Sequence, residues 1–168
     1  TVKQHKAVPD IVKELVDGLK ADNKSEYHIR DTERRLTTFA NVFPGQIMQV
    51  TTTQISDWLR NLKGSDRKGR AVEIAPKTRN HYRNAVVHLF NHARDSGYLP
   101  KGMPTDAEAV KTLDVVTPTN EIFTIEDIQK VLKNAKAHLV VPMAIKAFCG
   151  VRTEEMLNLR WEHLNLET

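Results

Sequence analysis

The sequence predicts a mainly α fold, and three observations predict it. Apolar residues recur at three- and four-residue spacing through most of the 168 positions. Turn residues stand where those runs end, as at Pro44-Gly45 and Gly97. Only the stretch from Trp161 to Leu166 begins to alternate as a strand would.

The first helix is expected over about 8–20. Pro9 lies in its first turn, and Ile11, Leu15, Val16 and Leu19 share one face. A second spans about 25–43, with Ile29, Leu36, Phe39, Ala40 and Phe43 inward and His28, Arg30, Arg34 and Arg35 outward. Thr52 or Thr53 caps a third, which runs to about Leu62 through Ile55, Trp58 and Leu59. A polar, glycine-containing loop follows over about 63–73. The longest helix, about 76–96, carries Tyr82, Val86, Leu89, Phe90 and Ala93 inside and stops at Gly97.

Residues 101–121 differ in character. Pro100, Gly102, Pro104 and Pro118 punctuate a stretch with few large apolar groups. It reads as a linker between a domain at 1–100 and a second at 122–168, with room for a short helix near 106–113. Thr124 opens a helix to about Ala135, with Glu126 and Asp127 suited to its N-terminal dipole. A buried helix over about 139–149 and a short one over 153–160 complete the pattern. A core of roughly 45 residues is marginal alone, so the simplest expectation is that a larger domain continues beyond it.

Composition excludes several classes. The one cysteine, Cys149, rules out an internal disulfide and reads as a buried, inert thiol among apolar neighbours. The apolar run 139–147 is far too short to span a membrane, and no apolar signal core opens the chain. A cytoplasmic protein is expected. The net charge of +4 is concentrated: Arg60 to Arg94 holds nine Lys/Arg against Asp66 and Glu73. From Lys101 onward, eight basic residues face ten acidic ones.

That local charge sits largely on the long helix. Between Lys77 and Arg94 there is no carboxylate. Opposite its apolar stripe lie Lys77, Asn80, His81, Arg83, Asn84, His88, Asn91 and Arg94. Solvated faces normally mix Glu with Lys, whereas Arg, Lys, Asn and His suit phosphate oxygens and base edges. Lys77, Thr78 and Arg79 also occupy a helix N-terminus, where free amides favour an anion. The loop 63–70 fits a backbone-following loop and a solvated loop alike. His88 and His92 have zinc-compatible i,i+4 spacing, but no third ligand is evident, so no metal is expected. No phosphate-binding glycine loop or serine elbow is present, and no cofactor or small-molecule substrate is expected.

Near the end, an apolar helix stops at Gly150. Arg152 then stands at the head of an acid-led turn, a geometry that can aim a guanidinium out of a core at a phosphate. The run Gly150-Val151-Arg152-Thr153-Glu154-Glu155-Met156-Leu157-Asn158-Leu159-Arg160-Trp161 resembles the first arginine box of tyrosine recombinases, the phage integrase family. The Lys-Thr-Arg-Asn-His-Tyr helix start at 77–82 and the Thr-x-Glu-Asp-Ile start at 124–128 are similar to that family's layout.

The resemblance implies a four-helix, SAM-like core-binding domain, followed by the first helices of a truncated α+β catalytic domain. It implies DNA integration and recombination through a 3′-phosphotyrosyl intermediate, on double-stranded DNA, with self-association into a tetramer there. Arg152 would bind the scissile phosphate and Glu155 would orient it, although Glu155 is equally a first-turn partner of the helix dipole. Arg34, Lys77, Thr78, Arg79, Asn80 and Arg83 are the expected DNA contacts. His163 stands where the family usually has aspartate. After Arg152 there is no lysine or tyrosine, and the only histidine is His163. The family's lysine, His-x-x-Arg and tyrosine nucleophile are therefore missing, and these residues alone should not cut DNA. A piece of a longer integrase or a degenerate gene product is expected. The rival readings are an inactive DNA-binding accessory protein and a helical protein-interaction domain.

Overall fold

The computed structural model describes residues 5–65, 68–116 and 121–163. It divides into two units, 1–116 and 117–168.

In the first unit, α1 (Val8–Ala21) starts on a proline and buries Val8, Ile11, Val12, Leu15, Val16 and Leu19 along one stripe. Helix α2 (Glu26–Val42) is capped by Ser25, whose Oγ accepts from the His28 amide. A short bridge joins Ala7 to Gln46, and a 3-10 turn (Ile47–Gln49) drops Ile47 into the core. Helix α3 (Thr52–Asn61) opens with a full capping box: the Gln54 amide donates to Thr51 Oγ1, and the Thr51 amide donates to Gln54 Oε1.

The loop expected over 63–73 is instead a small hairpin. Strand β1 (Lys63–Ser65) pairs antiparallel with β2 (Ala71–Glu73), Gly64 lying opposite Val72. Such short strands carry too little alternation to be seen in a sequence. A Cβ at Gly64 would stand 2.8 Å from Ile74 Cγ2, so glycine fits the crossing there. Helix α4 (Pro76–Asp95) follows. The reversal after it uses Gly97 at φ +88°, where the left-handed region favours glycine.

Phe39 is the centre of the core. Its ring lies 4.8 Å from Phe43, 5.0 Å from Trp58 and 6.4 Å from Phe90 between centroids, so α2, α3 and α4 meet on it. Residues 101–116 are not a free linker. Ala107 and Val110 are buried against this core, and Thr105 is buried beside them. The short helix expected near 106–113 is a run of turns over 106–110.

In the second unit, α5 (Ile125–Asn134) starts on a Thr124–Asp127 capping box. Helix α6 (Ala137–Cys149) contains Pro142, which cannot donate its own helical hydrogen bond. Helix α7 (Thr153–Leu157) is shorter than expected and precedes a 3-10 turn (Trp161–His163), where a strand had been expected to begin. The rest of that alternating stretch lies outside the described residues. The expectation of a buried 139–149 helix is overturned: none of α5, α6 and α7 has a buried residue, and Cys149 is exposed. The reason is geometric. An all-round apolar helix needs neighbours on every side, and among the described residues of this unit α6 packs chiefly against α5 and α7. No described helix is long and apolar enough to cross a membrane.

Candidate nucleic-acid interface

Helix α4 starts on Pro76 behind an alanine N-cap, so it has no side-chain cap, and its first turn holds no acidic residue. The amides there and the Lys77 ammonium add their positive character. Lys77, His81, Asn84 and His88 are exposed along the helix, and Thr78 is half-buried. Tyr82, one of the inward residues, connects this helix to α2. Arg34 Nη1 donates to the Tyr82 hydroxyl at 3.3 Å and Nη2 to Asp31 Oδ1 at 3.1 Å. Arg35 takes the other Asp31 oxygen at 2.7 Å. Two guanidiniums thus share one carboxylate, and Arg34 stays 60% exposed. Donation to Asp31 further favours the charged guanidinium of Arg34.

Partial desolvation on the helix surface pushes the His88 imidazole below its ordinary value, and the neighbouring His92 and His28 push the same way. Among the described residues, no group of three or more His, Cys, Asp or Glu could hold a metal.

The other expected contacts of α4 face a different neighbour. Asn80 Nδ2 donates to the Leu113 carbonyl at 2.8 Å, and its Oδ1 accepts from the Leu113 amide at 2.9 Å. Arg83 donates to the Val110 and Glu108 carbonyls at 2.9 and 3.1 Å. Arg94 pairs with Glu108, which also accepts from the Thr105 amide at 2.7 Å. Arg79 pairs with Glu73 at 3.0 Å. Asn80, Arg83 and Arg94, expected to face a duplex, are instead engaged by the 105–113 segment. Its anchor was legible: Thr105-x-x-Glu108 is a capping-box pattern. Of the six expected DNA contacts, Arg34, Lys77 and Thr78 thus stand apart from Arg79, Asn80 and Arg83.

In the second unit, Gly150 ends α6 at φ +66°. Such a left-handed cap suits glycine and turns the chain sharply. Arg152 follows as the N-cap of α7. Its amide donates to Glu155 Oε2 at 2.8 Å and its Nη1 to Glu155 Oε1 at 3.2 Å. One carboxylate therefore holds both backbone and guanidinium, while the Arg152 side chain stays 86% exposed. Lys146 Nζ lies 2.7 Å from Thr153 Oγ1, bringing a second cation to this turn. The arrangement can present two cationic groups to an anion at a helix start.

Comparisons with protein-family models, with curated proteins and with solved structures find no match for this chain.

Proposed function

We propose that the chain is the DNA-binding N-terminal part of a site-specific tyrosine recombinase of the phage integrase type. In this reading α1 to α4 form the SAM-like core-binding domain. The second unit is the opening of the catalytic domain, and double-stranded DNA is the partner.

The observation that carries the reading is Arg152. It stands exposed beyond a left-handed glycine cap, with Glu155 fixing both its amide and its guanidinium. A fork of donors held in this way binds two oxygens of one phosphodiester and stabilises charge that builds on them during strand transfer. The tyrosine nucleophile and its proton-transfer partners are not among these residues, so the chemistry assigned here is binding and orientation of the phosphate.

The α2–α4 surface supports the same reading. Arg34, Lys77, Thr78, His81, Asn84 and His88 give it donors and cations, and Asp31 there is already shared by two arginines.

Binding of the 168-residue chain to a labelled duplex, measured by anisotropy at rising salt, tests the proposal. The logarithm of affinity should fall linearly with the logarithm of salt as counterions are released. An affinity indifferent to salt, or no binding at low salt, overturns it.

A further inference from the structure

A second surface of the first unit carries a separate binding feature. Between α3, α4 and the 109–113 segment lies a cleft of about 340 Å³. Arg60, Arg79, Arg83 and Lys111 line it, with Leu59 and Val110 supplying apolar wall. No carboxylate is among its lining residues. The volume falls within the roughly 300–1,000 Å³ of sites that hold small organic ligands, and it exceeds the need of a bare phosphate.

The cations are unevenly satisfied. Arg79 is only 14% exposed, and its buried Nε has no hydrogen-bond partner. Its carboxylate partner among the described residues, Glu73, is largely in solvent. Arg60 likewise pairs with an exposed Asp57 at 3.0 Å. Exposed pairs of this kind are weak and readily yield to a better anion. A largely buried guanidinium whose charge is met mainly by a solvent-exposed carboxylate favours one. The cleft wall is held to α4 at two points, by Asn80 on Leu113 and Arg83 on the Val110 carbonyl, and its neighbour Asp106 is held by Thr52 of α3, so the site is preformed.

We propose that this cleft binds a nucleoside phosphate, its phosphate among the four cations and its base or sugar against Leu59 and Val110. The phosphate's source is either a free mononucleotide or a nucleotide of a bound strand. The proposal does not rest on the recombinase reading, because the cleft and the α2–α4 surface use different residues.

Titration of the chain with adenosine monophosphate and with adenosine, followed by amide NMR, tests it. The monophosphate should shift the amides of 109–113 and bind about tenfold or more tightly than the nucleoside. Arg60→Gln combined with Lys111→Gln touches only the cleft rim. It should weaken the monophosphate by about tenfold while leaving the melting temperature unchanged. Adding duplex then identifies the source: competition assigns the phosphate to the strand, and simultaneous binding assigns it to a free ligand. Equal binding of nucleoside and monophosphate, or an unchanged affinity in the double variant, overturns the site. Lys77→Ala, which lies outside the cleft, should weaken the duplex alone, so a failure of the duplex reading stays separable.

Discussion

Asn80 grips Leu113 with both ends of its amide, donating to the carbonyl at 2.8 Å and accepting from the N–H at 2.9 Å. The same segment is fastened to α3, where the Thr52 amide and hydroxyl both donate to Asp106 Oδ1, at 2.9 and 2.8 Å. A stretch with little regular structure is therefore part of the first unit's fabric.

Asn80→Ala removes two hydrogen bonds and leaves the Leu113 main chain seeking water. The first unit should lose about 1–2 kcal/mol, read from urea denaturation. Hydrogen exchange at Leu113 should accelerate more than at Leu89 in the core. Equal protection at both would show that the segment is held by other contacts.

Two carboxylates tie acid stability to this architecture. The Thr105 amide, with Arg94, holds Glu108 below its ordinary value of 4.5, and Lys6 with Tyr98 does the same for Glu14. A depressed folded-state value means stability that is present above the unfolded value and lost as pH falls through the folded one. Glu108→Gln should therefore be less stable than the parent at neutral pH, and the gap should close below about 4.5. At the alkaline end, Glu14 raises the Lys6 value above 10.5, so that part is full below 10.5 and lost as pH rises beyond it. Urea midpoints across the pH range check both directions.

Arg34→Ala with Lys77→Ala should weaken duplex binding and flatten its salt dependence. Each lost phosphate contact removes about 0.9 from the slope of log affinity against log salt, so the pair should remove roughly 2. An unchanged slope would place the duplex elsewhere.

Gly150→Ala forces a Cβ into the left-handed region, at a cost of about 1 kcal/mol. Nothing lies within 4 Å of that added carbon, so the effect is conformational rather than a clash. The amide signals of Arg152 and Thr153 should move, because the cap sets the direction in which α7 departs.

Much of the first unit was readable because periodicity and caps agree there. The stripe from Val8 to Leu19, the Thr51–Gln54 box and the Tyr82–Ala93 face are each local signals. The hairpin escaped because three-residue strands leave no pattern. The place of 105–113 escaped because its bonds reach back 25 to 54 positions, to Arg83, Asn80 and Thr52. For the second unit, apolar composition indicated burial, yet burial needs covering layers that composition does not supply. At the turn after Gly150, Arg152 and Glu155 were legible together because an i,i+3 pair at a helix start is local.

The exposed thiol of Cys149 has a practical outcome. It is the chain's only sulfhydryl, three positions before Arg152. A maleimide dye would therefore attach at one place, beside the left-handed turn, without any cysteine being engineered elsewhere. Its emission becomes a local gauge of whatever ligand approaches that arginine.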